Sequence, residues 1–162
     1  MTMTATLDRS IDTGRLGKLL AGGLVGLIAF EVFGRYGAPF IMGGPLSPIG
    51  LVLALFKNFL GLPIGATLAH GVHYATGIVF YPLGYLAMTL AAGAVGVRLA
   101  GLGAGLVWGL VWGVVTWFLA LGVFASLAGL PFMLNFTTIT WVSLLGHLAY
   151  GLGAALVYEL WR

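Results

Sequence analysis

The stretch LAGLGAGLVWGLVWGVVTWFLALGVFASL, residues 99–127, contains no charged residue. About 20 consecutive apolar residues are enough for a helix to cross the hydrocarbon core of a bilayer. A run of this length and composition therefore predicts a transmembrane helix. Membrane β-strands would instead show alternating segments of about ten residues, a pattern that the sequence lacks.

The composition of the whole chain supports the same class. Of its 162 residues, 60% are hydrophobic and 7% are charged, whereas about a quarter of the residues in a soluble domain are charged. We therefore expect an all-α integral membrane protein surrounded by the lipid bilayer. The sequence has no cysteine, which removes disulfides and thiolate chemistry. The net charge of +3 comes from basic residues spread over several helix ends, so no nucleic-acid partner is expected.

The apolar runs and their breaks define a single membrane domain. Transmembrane spans are expected at residues 16–34, 63–92, 99–127 and 137–160. Residues 1–13 form a polar tail, and residues 36–62 form a loop broken by prolines and glycines. Within that loop, residues 49–60 are apolar but too few to span, which predicts a short interfacial or re-entrant helix.

The charged residues predict the orientation of the chain. Four crossings place both termini on one side, and lysine and arginine concentrate on the cytoplasmic side of membrane proteins. The basic residues on the side of the termini are Arg9, Arg15, Lys18, Arg98 and Arg162. Only Arg35 and Lys57 fall on the opposite side, so both termini are expected in the cytoplasm.

Two histidines occupy matching places in different spans. The matching positions are Ala69, His73, Ala75 and Gly77 in one segment, and Ser143, His147, Ala149 and Gly151 in the other. Two imidazoles from different helices, each with a glycine one turn later, are what a bis-histidine haem b requires. They could also contact a quinone or carry a proton. The simplest alternative needs no cofactor: the histidines bond across the bundle, with Tyr74, Ser143 and Tyr150 as candidate partners.

Two further arrangements involve these histidines. His70 lies three residues before His73 and can share its helix face, but no acidic residue is near in sequence and we expect no metal site. Ser143 and His147 are four residues apart, the spacing of a possible nucleophile and base. No activating residues surround Ser143, so no catalytic residue is expected.

Glu31 is the acidic residue well inside an apolar span, and such carboxylates are candidates for function. Arg35 follows four residues later, in the favourable order for a helical ion pair. Because Glu31 falls near the end of the expected span, its side chain can reach the headgroups. An ion pair at the lipid interface is therefore favoured over a proton carrier.

Glycines at four-residue intervals indicate close helix packing. The third span carries Gly101, Gly105, Gly109 and Gly113. Small residues at this spacing let helix backbones approach closely in lipid. Gly22 and Gly26 in the first span form a candidate partner stripe, while Gly77 and Gly151 make room beside the histidines. The third span is expected to pack on a helix of this chain or of a neighbouring subunit.

The last span contains the segment Gly146-His147-Leu148-Ala149-Tyr150-Gly151, which continues through Gly153 to Val157-Tyr158. This segment resembles the last helix of a family of small four-helix bacterial membrane proteins of unknown function. The resemblance extends loosely over all four spans, with His147, Tyr150 and Gly151 as the matching positions. It implies a protein of the bacterial cytoplasmic membrane and brings no activity with it.

The expected function follows from three features of the sequence. It has few polar groups, little sequence outside the spans and a glycine-lined helix, which favours a non-catalytic accessory or assembly subunit of a larger membrane complex, or a homo-oligomer. One alternative is an electron-transfer subunit that binds haem b or a quinone at His73 and His147. Another is a small proton-coupled transporter that uses His70, His73 and Glu31.

Overall fold

The computed structural model describes residues 13–97 and 101–160. This part of the chain contains helices and no strand, which confirms the all-α class. Its long apolar helices are α1 (Gly14–Met42), α3 (Ala66–Ala94), α4 (Gly101–Leu127) and α5 (Thr138–Leu160). All four are long and apolar enough to cross a membrane, and a shorter apolar helix, α2 (Ile49–Phe59), precedes α3. The expected polar tail, apart from Thr13, and the charges of Arg9, Arg98 and Arg162 lie outside the described residues.

Helix α1 is longer than the expected span, which ended at residue 34. It continues through Pro39 to Met42, because a wider π-helical turn, Phe33–Gly37, precedes the proline. A proline ring clashes with the carbonyl four residues earlier in a regular helix, and a π turn changes that register. The helix ends at Gly43, whose φ is 75°. Glu31 therefore lies about three helical turns before the end of α1, not near the end as the sequence suggested.

Helix α3 passes its proline in the same way. A π-helical turn, Thr76–Phe80, precedes Pro82, and the N–H of Tyr81 bonds to the carbonyl of Thr76. Pro82 has no N–H to donate to the carbonyl of Gly77, five residues earlier. The hydroxyl of Tyr150 donates to that carbonyl instead, at 2.7 Å. The proline thus leaves an acceptor in α3 that α5 satisfies.

Helix α5 lies at the centre of the bundle, and the glycines of α1 pack on it. A Cβ added at Gly22 would lie 2.7 Å from the carbonyl oxygen of Ala154, and one at Gly26 would lie 2.7 Å from that of Tyr150. Only a hydrogen fits in these places. The glycine stripe of α1 therefore packs on α5, and not on the stripe of α4 as the sequence suggested.

The glycines of α4 pack on a different part of the same helix. A Cβ at Gly109 would lie 2.9 Å from the carbonyl oxygen of Gly151, and one at Gly113 would lie 2.7 Å from that of His147. Gly105 continues the contact towards Leu156. The stripe is thus occupied within the chain, so it gives no independent support for docking on another subunit.

Two other glycines differ from one another in role. Gly101 begins α4 with a φ of 80°, and a Cβ added there would have no atom within 4 Å. Gly101 therefore serves the chain turn, whereas the sequence predicted that it would be part of the packing stripe. Gly77 does pack closely, because a Cβ there would lie 3.1 Å from Cδ1 of Leu27.

The connection from α4 to α5 contains a left-handed turn. Met133, Leu134, Asn135 and Phe136 have φ values of 49°, 47°, 55° and 54°. Left-handed helical conformation costs roughly 1–2 kcal/mol for each residue with a side chain. The turn is stabilised by burial of Met133 and by the hydroxyl of Thr140, which donates to the Met133 carbonyl at 2.6 Å.

Candidate functional site

A cavity of about 710 Å³ lies inside the bundle. Its wall is mainly apolar and includes Leu27, Phe30 and Leu55, from α1 and α2. Polar side chains reach it from α3 and α5, among them His73 and His147. Pockets for small molecules commonly have volumes of about 300–1,000 Å³ and apolar walls with a few polar groups. The cavity therefore has the size and chemistry of a ligand site.

The two matched histidines meet at this cavity. Both pack against the ring of Phe30, with ring centroids 5.8 Å from His73 and 5.1 Å from His147. Their matching positions in sequence thus correspond to a shared place in the structure. Phe30 was not among the residues singled out from the sequence, because a phenylalanine in an apolar span carries no distinguishing signal.

The environment of His147 fixes its proton. Its Nδ1 lies 2.8 Å from the backbone carbonyl oxygen of Ser143. A carbonyl only accepts hydrogen bonds, so Nδ1 carries the hydrogen and Nε2 of the neutral ring is an acceptor. No hydrogen bond joins Nε2 to another described residue. His147 is only 7% exposed and lines the cavity, so a molecule in the cavity can supply the partner that Nε2 lacks.

The position of this proton also decides whether Ser143 and His147 can act as a nucleophile and its base. Its hydroxyl oxygen lies 3.3 Å from Nδ1 of His147. Because Nδ1 already donates to a carbonyl, it cannot accept the proton of the Ser143 hydroxyl. The contact is therefore no nucleophile–base pair, which requires a base with a free lone pair.

His73 is held by Glu31. Its Nε2 lies 3.0 Å from Oε1 of the carboxylate, and Nε of Arg35 lies 3.4 Å from Oε2. The sequence predicted the contact between Glu31 and Arg35 but not the one with His73. The reason is the position of Glu31, which lies three turns inside α1 and not at its end. One carboxylate thus connects a buried imidazole to a guanidinium that is 61% exposed.

A second depression lies on the outer surface beside these groups. This groove of about 460 Å³ is lined by Glu31, Arg35, Tyr36 and Tyr74 together with apolar residues of α1 and α3. Glu31 lines the groove, whereas its partner His73 lines the cavity. The Glu31–His73 contact therefore joins the outer face of the bundle to its interior.

The remaining candidates lie elsewhere. His70 is exposed and packs on Tyr74, with ring centroids 5.8 Å apart. It does not join His147 at the cavity. Among residues 13–97 and 101–160, no three histidine, aspartate or glutamate side chains are grouped to hold a metal ion. Tyr74 packs on the ring of His73 at 5.6 Å, while the hydroxyl of Tyr150 bonds to Gly77 and not to a histidine.

Helix α2 closes one side of the cavity, a role that the sequence did not reveal. Leu51, Val52 and Leu55 of this helix line the cavity. Asn58 fixes its end, because its side-chain amide donates to the carbonyl of Ala128 at 2.8 Å. In the sequence, the one feature that pointed to this role of α2 is an asparagine at the end of a short apolar run.

The arrangement bears on the haem hypothesis. A bis-histidine haem needs a free nitrogen from each imidazole on opposite sides of the macrocycle. Here Nε2 of His73 is bonded to Glu31, and Phe30 contacts both rings. These residues therefore suit a smaller ligand that contacts His147 better than they suit two axial ligands.

No protein-family model matches the chain, and neither a curated protein nor a solved structure matches it.

Proposed function

We propose that this protein spans the membrane and binds a small, mostly apolar molecule taken from the bilayer, of the class to which quinones and their quinols belong. The observation that carries the proposal is the cavity of about 710 Å³, which His147 lines and in which Nε2 of this histidine has no hydrogen bond to a described residue. Buried polar groups in an apolar medium are costly unless they are hydrogen-bonded. A ligand with a polar head and an apolar body supplies the missing bond.

The wall of the cavity suits a flat ring with an apolar tail. Phe30, which packs on His147, and Trp112 offer aromatic surfaces to the cavity, against which a ring packs favourably. Leu51 and Leu55 of α2 provide an aliphatic wall for the tail.

Native mass spectrometry tests the proposal. The protein is incubated under nitrogen with decylbenzoquinone or decylbenzoquinol, released from detergent and examined for a bound mass. Ala120 lines the cavity and is buried, whereas Leu110 is 45% exposed on the outside of the same helix. We expect one bound molecule in the parent protein and in Leu110→Phe, and loss of binding in Ala120→Phe. If neither compound binds to the parent protein, the proposal is overturned.

We place the protein in the bacterial cytoplasmic membrane with both termini in the cytoplasm. The orientation is supported by the distribution of basic residues. The side of the termini carries Arg9, Arg15, Lys18, Arg98 and Arg162, and the opposite side carries Arg35 and Lys57. Because the chain has no cysteine, single cysteines report topology cleanly. An impermeant maleimide should label Lys57→Cys in intact spheroplasts and Arg162→Cys only after permeabilisation. The reverse pattern would invert the topology.

A role as an accessory subunit is the second candidate, supported by an exposed aromatic ridge. Phe132, Phe136 and Trp141 are each about half exposed, at 52%, 51% and 50%, and their rings contact one another in series. Aromatic side chains are enriched at protein interfaces. If the ridge binds a partner, a stoichiometric protein should co-purify from native membranes with the parent chain and with Phe40→Ala, but not with Phe132→Ala/Phe136→Ala. Equal recovery with all three would show that the ridge is not the interface.

A further inference from the structure

We infer that the cavity selects a ligand whose head donates a hydrogen bond, so that it binds a quinol or another phenol in preference to the corresponding quinone. This inference rests on the proposed function, since it names the form of ligand that the same cavity takes. Its basis is the fixed tautomer of His147 and the polar atoms around it.

The backbone of α5 determines that tautomer. The Ser143 carbonyl accepts from Nδ1 of His147 at 2.8 Å, and both residues belong to one continuous helix. The carbonyl cannot rotate away without disrupting α5. Nε2 therefore presents a lone pair to the cavity for as long as the ring is neutral. Glu31 bonds to His73 and Arg35, and no carboxylate among the described residues bonds to His147 to favour a charged ring.

Three of the polar side chains along the cavity are already engaged. The hydroxyl of Tyr150 donates to Gly77, and that of Thr76 donates to the carbonyl of Val72 at 2.8 Å. Nε2 of His73 is bonded to the carboxylate of Glu31. None of these donors is free to satisfy a ligand carbonyl without breaking an existing bond.

The remaining polar groups do not reverse the preference. The side chains of Ser47, Tyr81 and Ser143 also line the cavity, and each of their hydroxyls can either donate or accept, so they tolerate both forms of a ligand. The indole nitrogen of Trp112 is buried in the wall and has no partner among the described residues. Because this nitrogen atom has almost no accessible surface, it cannot donate to a ligand in the cavity. His147 is therefore the group that discriminates.

The two forms of a quinone differ at the atom that meets His147. A quinol hydroxyl donates to Nε2, whereas a quinone oxygen is an acceptor and would face the Nε2 lone pair without a hydrogen between them. An unmade bond of this kind in a buried site weakens binding by roughly 10-fold to 100-fold. The preference is a matter of binding alone and requires no electron transfer within the protein.

Competition between decylbenzoquinol and decylbenzoquinone, measured under nitrogen by native mass spectrometry, tests this inference. The parent protein should bind the quinol at least about 10-fold more tightly. Leu110→Phe should keep the preference, because Leu110 is 45% exposed on the outside of α4 and does not line the cavity. His147→Gln should bind both compounds with similar affinity, because its amide can donate as well as accept.

The outcomes separate the inference from the function on which it rests. Equal affinities in the parent protein, or tighter binding of the quinone, would overturn the inference while ligand binding in the cavity stands. Binding of neither compound would overturn both. A quinol preference that survives in His147→Gln would also refute the role given to the imidazole.

Discussion

Replacing Tyr150 with phenylalanine should lower the free energy of unfolding by about 1–2 kcal/mol. The Tyr150 hydroxyl donates to the Gly77 carbonyl at 2.7 Å, and the residue is only 3% exposed, so water cannot take its place. Phenylalanine keeps the ring and creates no large void. The loss therefore reports the hydrogen bond between α3 and α5.

The structure indicates which part of the usual range of interhelical hydrogen-bond energies applies to this loss. Hydrogen bonds between membrane helices contribute about 0.6 kcal/mol on average and up to about 1.7 kcal/mol, because alternative partners often exist. Here the alternative is missing, since Pro82 has no N–H and Tyr81 donates to Thr76. The upper part of the range is expected. Replacing Pro82 with alanine restores an N–H near Gly77, so Tyr150→Phe should cost about 1 kcal/mol less in that background.

The assay is reversible SDS unfolding in mixed micelles, followed by circular dichroism, on the two single variants and the double variant. Tyr158→Phe is the matched control on the same helix, since Tyr158 is also buried but its hydroxyl bonds to no described residue. It should change the free energy of unfolding by less than about 0.5 kcal/mol. If Tyr150→Phe costs no more than this control, or costs the same with and without Pro82, the proposed role of the proline is refuted.

Three other variants test different contacts. Gly113→Ala should lower the free energy of unfolding by about 1–3 kcal/mol in the same assay, because its Cβ would lie 2.7 Å from a carbonyl oxygen of α5; Gly103→Ala, with no atom within 4 Å, should not lower it. Thr140→Val removes the bond that stabilises the left-handed turn and should cost about 1–3 kcal/mol, whereas an equal loss in the exposed Thr138→Val would argue against that role. Asn58→Ala breaks the bond to the α4 end and should increase amide hydrogen exchange in α2 but not in α5; unchanged exchange in α2 would show that other contacts fix this helix.

The sequence was sufficient to predict the helical class, because apolar runs of bilayer length leave few alternatives. It was less informative about where α1 ends. Pro39 suggested a break, yet the π turn at Phe33–Gly37 carries the helix past it. That turn depends on local hydrogen-bond register, which composition does not encode. The error had a consequence, since it placed Glu31 near an interface and concealed its contact with His73.

The glycine spacing likewise predicted one part of the packing and missed another. Their spacing predicted close contact, and Gly22, Gly26, Gly109 and Gly113 do approach a helix backbone. It did not identify the partner, because the rotation of each helix is set by packing on all its neighbours. The matching positions of His73 and His147 were more informative, since equal depth on neighbouring helices limits how far apart two side chains can lie.

The packing and the candidate site are not independent. The carbonyl oxygen that approaches Gly113 belongs to His147 itself, and the carbonyl that holds the His147 ring belongs to Ser143 on the same helix. A side chain added at Gly113 would push the backbone of α5 at the residue that carries the imidazole. Gly113→Ala should therefore weaken ligand binding as well as stability, whereas Tyr150→Phe, which leaves this backbone in place, should affect stability more than binding. Equal losses of binding in the two variants would indicate that the ligand site depends on the bundle as a whole and not on the position of His147.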